Sequence, residues 1–323
     1  MSKLTIYAAG GAALNVTSEM GKYIGNKEYG YAEIEAYYID TSSSNIHSEI
    51  DSEKIYLVEG LDGSGKVRKS NYKALLECSK DILHQFKPSD INIVVHSLSG
   101  GTGSTLGPII VSELLSRGKN VVVLAIGSSN SRIEAENTLK TLKSYEMIAN
   151  KKGNPVCMFY RENGVATPRS HVDTNISTAI VLLATLFSSD NKELDLSDLT
   201  NFINYNNVTS YPPQLALLEF HESNIESVRG QTIITVATLT SSDTNSELGE
   251  SVEYQCVGYM PDKVKSDIGM DIPIHYTINA GYFNKIVESL ESTLEVYDEA
   301  RTVVISKSIL NDNDEGTQEG LIL

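Results

Sequence analysis

Residues 93–107 read Ile-Val-Val-His-Ser-Leu-Ser-Gly-Gly-Thr-Gly-Ser-Thr-Leu-Gly, an apolar, β-branched run that breaks into a glycine-rich turn and enters a helical pattern. Gly100, Gly101 and Gly103 present no side chain to an approaching anion, so successive backbone N–H groups can face one ligand. The helix that follows adds the positive end of its dipole. Hydroxyls of Thr102, Ser104 and Thr105 can donate to the same oxygens, which a merely flexible Gly/Ser linker would have no reason to place before a helix. A tight strand-to-helix turn would use the same glycines; the hydroxyls favour a phosphate-binding turn.

Outward from this turn, strand and helix alternate. Leu4–Ala8, Ala32–Ile39, Ile55–Val58, Ile91–Val95, Val121–Ile126 and Pro155–Tyr160 are apolar or β-branched runs. Between them, Tyr72–Phe86, Thr105–Arg117 and Arg132–Ala149 carry apolar residues at helical spacing. This order predicts an α/β, Rossmann-like, mostly parallel sheet with helices on both faces and ligands beyond the strands' C-terminal ends. A run from Val172 to Ser188 is apolar nearly all round, as a helix buried between two domains should be. After it the pattern changes. Strand-like runs at Leu215–Phe220, Thr232–Thr238, Glu253–Tyr259 and Pro273–Ile278 suggest a second sheet around a long helix, Tyr282–Arg301, whose stripe is Phe283, Ile286, Leu290, Thr293 and Tyr297. A last strand is expected at Thr302–Ser306, and the tail Asn311–Leu323 carries Asp312, Asp314, Glu315 and Glu319 without periodicity.

Composition narrows the function. At 323 residues the chain suits two domains, and its formal charge of −16 argues against direct nucleic-acid binding and against an anionic membrane surface. Its three cysteines are far apart and lie in apolar or amphipathic stretches, which fits reduced thiols and a cytoplasmic setting. The first residues read better as a strand feeding a glycine turn than as a signal peptide, and the longest apolar run elsewhere, Ala179–Phe187, is far short of a membrane span. The six histidines show no ligand spacing with Cys or Glu, and no G-x-S-x-G elbow is present.

Two further loops compete for phosphate. Gly60-Leu61-Asp62-Gly63-Ser64-Gly65-Lys66 spells G-x-x-x-x-G-K, but Val67 stands where a Mg²⁺-binding hydroxyl belongs and no Walker B strand accompanies it. Gly63, Ser64 and Gly65 can still form a nest touching the terminal phosphate of a nucleotide held mainly elsewhere. The turn Ala9-Gly10-Gly11-Ala12-Ala13-Leu14-Asn15 follows the first strand, yet it lacks G-x-G-x-x-G, and Asp40 lies thirty residues beyond Gly10, too far for a dinucleotide fingerprint.

Ser99-Gly100-Gly101-Thr102-Gly103-Ser104-Thr105 resembles the G-G-G-T-G-[ST]-G signature of the tubulin and FtsZ superfamily, with Ser99 and Thr105 in place of glycine. Other elements of that superfamily follow in order: Gly10 and Gly11 after the first strand, Asn15 shortly after, the helix from Val172, and then Glu193-Leu194-Asp195-Leu196-Ser197-Asp198-Leu199. The last segment resembles the synergy loop, N-x-D-x-x-[DE], with Glu193 replacing the usual Asn. Two carboxylates three apart at a helix start share one face and can orient and polarise a water for in-line attack on a γ-phosphate, a reading favoured over an ordinary helix N-cap at Asp195 or Asp198. Within the superfamily the chain is most similar to the bacteriophage-encoded tubulin-like proteins of the PhuZ type.

The resemblance implies a tubulin/FtsZ fold in four parts: a GTP-binding domain at 1–171, a core helix at 172–188, a smaller α+β C-terminal activation domain at 189–310 with its synergy loop at 189–198, and an acidic tail at 311–323. It places phosphates on Gly10, Gly11, Gly100, Gly101, Thr102, Gly103 and Ser104; Ala12 and Ser99 are also expected to bind the nucleotide, and the nest of Gly63 and Ser64 to touch its terminal phosphate. Asp40 and Thr41 fall near that phosphate or its Mg²⁺, Asp40 acting on the metal through water. Asn163, Asn15 and either Asp173 or Asn175 are expected around base and ribose, Asp173 being the better acceptor for guanine. The implied activity is a GTPase, turning GTP into GDP and phosphate, whose catalytic Asp195 and Asp198 come from the next subunit. Head-to-tail contacts that do not close build filaments. The implied partner is therefore the chain itself, in the cytoplasm of an infected host, with work in positioning phage DNA or its replication compartment and with an acidic tail that docks on a neighbour. GTP over ATP rests on the resemblance alone.

Overall fold

The computed structural model of the chain describes residues 3–24, 30–222, 232–240, 252–268 and 273–305. Strands β1 (Lys3–Ala9), β2 (Glu33–Asp40), β3 (Ile55–Leu57), β4 (Ile91–Ser97), β5 (Asn120–Ser128) and β6 (Val156–Asn163) run parallel in the order β3-β2-β1-β4-β5-β6. The central strands β4 and β5 are mostly apolar because both faces are covered, whereas β2, nearer the sheet edge, alternates Glu33, Ile34, Glu35 and Ala36. In β5, Val122, Leu124 and Ile126 enter one core while Val121, Val123 and Ala125 enter the other. The first core also holds α1 (Gly11–Ile24) and α5 (Arg169–Leu186); the second holds α2 (Tyr72–Gln85), α3 (Thr102–Ser116) and α4 (Arg132–Lys152). Helix α4 stops where Gly153 takes a left-handed conformation, φ 66°, behind Lys151 and Lys152, whose charges suit the helix's negative end.

The C-terminal region adds α6 (Leu196–Ile203), β7 (Leu215–Glu222), β8 (Thr232–Thr240), β9 (Tyr254–Tyr259), α7 (Asp262–Ile268), β10 (Ile274–Ala280) and α8 (Tyr282–Ile305). The expected second sheet is not separate. Leu215–Leu217 of β7 pair in parallel with Val156–Met158 of β6, so the strands join one ten-stranded sheet continuing β6-β7-β10-β8-β9. Alternation along a strand marks a buried face but not which edge the strand joins. Helix α8 is likewise not surrounded by these strands. Phe283 and Leu290 bury in the core of α2, α3 and α4, and Arg132 and Lys143 of α4 pair with Asp298 and Glu291.

Other boundaries shift. Residues Thr302–Ile305, expected as a strand, continue α8, because extending an existing helix needs no new nucleus and outweighs the β preference of Thr-Val-Val-Ile. Helix α3 starts three residues earlier than expected, at Thr102, so the glycine turn opens directly into its first turn. Helix α5 starts at Arg169 and ends at Leu186. Ser306 and the tail 311–323 lie outside the described residues. Among the described residues no helix is long and apolar enough to cross a membrane. Cys78, Cys157 and Cys256 are free thiols, Cys78 only half-buried.

One buried polar pair makes a testable contribution to stability. His96 on β4 is fully buried, its Nδ1 beside the Ser97 carbonyl at 3.1 Å and its Nε2 2.6 Å from the Tyr145 hydroxyl. Burial pushes the imidazole down to about 4, so the folded state holds it neutral while the unfolded chain takes up a proton near 6.5. The stability this neutral ring contributes is complete above pH 6.5 and is lost as pH falls toward 4. The loss is expected to reach about 3 kcal/mol. It is read as a drop in urea midpoint between pH 7 and 4.5 that exceeds the drop in His96→Gln.

Candidate functional site

The turns after β1 and β4 touch because these strands are parallel neighbours, with Ala9 opposite His96. Gly10 has φ 83°, and a Cβ there would stand 2.9 Å from the Gly103 amide nitrogen. A Cβ on Gly103 would stand 2.8 Å from the Ala9 carbonyl oxygen. The two turns are thus built around paired glycines. They carry the starts of α1 and α3, whose first N–H groups have no acceptor within their own helices. Two helix N-termini converge beside one cavity.

The G-x-x-x-x-G-K loop, unsuited to a Walker A role by sequence, folds over this turn. Gly63 N–H donates to the Thr41 carbonyl at 3.0 Å, and the Asn71 amide donates to the Gly63 carbonyl and the Ser64 hydroxyl, both at 2.8 Å. The Ser64 hydroxyl meets that of Thr102 at 3.0 Å, and Thr102 meets Thr41 at 2.7 Å. A Cβ on Gly101 would collide with the Ser64 side chain, so glycine there lets the loop close on the turn.

Together these segments enclose a cavity of about 410 Å³, within the range of small-molecule sites. Its walls include Gly10, Gly11, Ala12, Asn15, Asp40, Gly63, Ser64, Ser99, Gly100, Gly101, Thr102, Gly103 and Asn163. Thr41 is buried behind Thr102. Ser104 and Thr105 lie beneath the turn: the Ser104 hydroxyl donates to the Gly100 and Gly101 carbonyls and the Thr105 hydroxyl to that of Gly101, so both brace the turn from inside. Asp173 and Asn175 stand on the first turns of α5 outside the walls, Asp173 3.6 Å from Arg169, which does line the cavity, and Asn175 donating to the His171 carbonyl at 2.9 Å. Lys66, the lysine of the G-x-x-x-x-G-K loop, also lines the cavity, as do Asn45, Glu134 and Arg169, which no local pattern in the sequence sets apart.

The chemistry of the walls fits a nucleotide. Asp40 is 2% exposed; burial raises its carboxyl above the ordinary range, opposed by hydrogen bonds from the Asn45 amide at 2.8 Å and the Thr41 N–H at 2.6 Å. Asn163 Oδ1 is buried and has no hydrogen-bond partner among the described residues, an acceptor that a base or ribose donor would satisfy. Glycine amides and helix N-termini supply donors for phosphate oxygens.

Asp195 and Asp198 lie elsewhere. Asp195 caps α6, its Oδ1 accepting from Ser197 N–H at 2.7 Å and Asp198 N–H at 3.0 Å, while Asp198 Oδ2 accepts from Asp195 N–H at 3.2 Å. This reciprocal capping box holds the two carboxylates side by side. The Tyr254 hydroxyl donates to Asp198 Oδ1 at 3.2 Å. The acids share a second concavity with Phe187, the C-cap of α5, whereas Arg169, the first residue of α5, lines the nucleotide-sized cavity. The two sites therefore stand at opposite ends of α5, a helix about 27 Å long.

Known proteins share this arrangement of chain. Residues 4–151 match the model of the Tubulin/FtsZ family GTPase domain, and residues 194–281 match that of the phage tubulin-like protein C-terminal domain. A phage tubulin-like protein of Pseudomonas phage phiKZ is 30% identical over 99% of this chain and 98% of its own length. A phage tubulin-like protein of Pseudomonas phage PhiPA3 is 28% identical over 88% of this chain and 91% of its own. Among solved structures, a protofilament of TubZ from bacteriophage PhiKZ superposes with a TM-score of 0.85 at 28% identity, covering 100% of both chains.

Proposed function

Because this chain belongs to the tubulin/FtsZ family, as one of its phage tubulin-like GTPases, we propose that it polymerises head to tail and hydrolyses GTP only where two protomers meet. The observation that carries this reading is that the cavity and the pair Asp195 and Asp198 stand at opposite ends of α5, a helix about 27 Å long. A protomer stacked end-on supplies its acids to the nucleotide of its neighbour. Phosphates rest on the glycine turns, with Gly63 and Ser64 over the terminal one. Asn163, Asn15 and the start of α5, where Asp173 and Asn175 stand, take the base and ribose. Asp40, through water and with Thr41 beside it, would hold Mg²⁺, which neutralises phosphate charge when bound. Asp195 and Asp198 orient the attacking water and take up its proton.

Contacts of this kind repeat without closing and make a filament. Hydrolysis within it weakens the contact, giving a polymer that grows and collapses. In the cytoplasm of an infected host such a polymer can position phage DNA or the compartment in which it replicates. The acidic tail at 311–323, with Asp312, Asp314, Glu315 and Glu319, docks on a neighbouring protomer and strengthens the polymer.

Light scattering and pelleting with GTP, ATP or GDP, across a range of protein concentrations, test this. Scattering is expected to rise with GTP above a threshold concentration, and specific activity to climb steeply at the same point. A chain ending at residue 310 should need a higher threshold. Flat scattering with GTP, while dilute monomer releases phosphate, would overturn the reading in favour of a soluble hydrolase.

A further inference from the structure

The lysine of the G-x-x-x-x-G-K loop has no part in the mechanism above, yet it lines the nucleotide cavity. Its backbone is fixed: φ is 62°, unusual for a residue with a side chain, and the Asn137 amide donates to the Lys66 carbonyl at 2.8 Å. The same Asn137 amide donates to the Ser99 carbonyl at 3.0 Å, so one side chain ties the lysine's backbone to the glycine turn. The ammonium rests on Glu134, with Nζ 2.6 Å from Oε1, and Glu134 lines the same cavity.

We propose that Lys66 is a ligand of the nucleotide's terminal phosphate, parked on Glu134 until a triphosphate enters the cavity and then transferred to it. This rests on the nucleotide reading of the cavity and adds a group that tells GTP from GDP. Three observations support the transfer. The Lys66 side chain is 52% exposed, so its ion pair with Glu134 is screened and stabilises little. Glu134 Oε2 also accepts from the Ser128 hydroxyl at 3.0 Å, so the carboxylate keeps a partner after the lysine leaves. The charged residues among the cavity walls are Asp40, Glu134, Lys66 and Arg169, with Arg169 beside Asp173, leaving Lys66 as the cation nearest the loop over the turn. Lysine acts on phosphate as a point charge and needs no fixed bidentate geometry, so a mobile ammonium suffices.

Competition binding of GDP and GTPγS, at protein concentrations below the assembly threshold, tests the proposal on three chains. Lys66→Met is expected to weaken GTPγS about tenfold, the loss of one charge-assisted hydrogen bond, and to leave GDP within about twofold. Glu134→Gln removes the rival charge and should shift the ratio toward GTPγS. Unchanged GDP binding serves as the check that each variant is folded. Equal losses for the two nucleotides in Lys66→Met, or a ratio unmoved in either variant, would overturn the proposal. An unmodified chain that binds neither nucleotide would instead overturn the cavity's assignment.

Discussion

Asp198→Asn is expected to slow GTP turnover by about a hundredfold while GTP-dependent sedimentation persists, the loss typical of a general base. Asparagine keeps the shape and one carbonyl oxygen, so it can still accept from Asp195 N–H, the bond that closes the capping box at 3.2 Å. Alanine would confound the result, because it would remove the reciprocal bond of the capping box and weaken the helix start by itself. The Tyr254 hydroxyl, which donates to Asp198 Oδ1 at 3.2 Å, then faces the amide nitrogen and accepts from it instead. Asp195→Asn should act alike, as asparagine is also a good N-cap. Filaments of either variant should accumulate bound GTP and disassemble slowly. If turnover in both variants matches the unmodified chain, measured as phosphate release per pelleted protomer, these acids play only their capping role.

Gly103→Ala is expected to abolish nucleotide binding and to destabilise the fold by about 1–3 kcal/mol, the usual cost of overpacking. The new methyl would face the Ala9 carbonyl oxygen at 2.8 Å and the Ser97 carbonyl oxygen at 3.1 Å. Both contacts are backbone, in the paired strands β1 and β4, so neither can swing aside. The turns must part, and their N–H groups then no longer converge. Gly164→Ala, where a Cβ meets nothing within 4 Å, should leave melting temperature and GDP affinity unchanged. Wild-type GDP affinity in Gly103→Ala would disprove the role given to the paired glycines.

Much of this was legible because the physics is local. A strand buried on both faces needs a largely apolar run, and β5 supplies one from Val121 to Ile126. The glycine turn declares itself by composition. Asp195 and Asp198 stand out by spacing, although that spacing also fits a helix cap, a role the structure gives Asp195. What stayed hidden is long-range. Lys66 and Glu134 are 68 residues apart, and nothing near either announces the other. Asn45 supports Asp40 by a bond that no motif encodes. The pairing of β6 with β7 depends on register between distant segments, so one sheet read as two. The stripe on α8 identified an apolar face but not its partner, which is α4 and the core beneath it. Helix α1 was read only as a glycine turn, since Gly10 and Gly11 mask its start.

The placement of cavity and acids at the two ends of α5 has an arithmetic consequence for the proposed polymer. A row of n protomers contains n − 1 completed junctions, so one terminal protomer always holds a nucleotide that no neighbour can attack. That terminus stays loaded with triphosphate however fast the interior turns over, until another protomer lands on it. Growth itself therefore starts the clock of the protomer just covered, and the age of each junction is written in its distance from the tip.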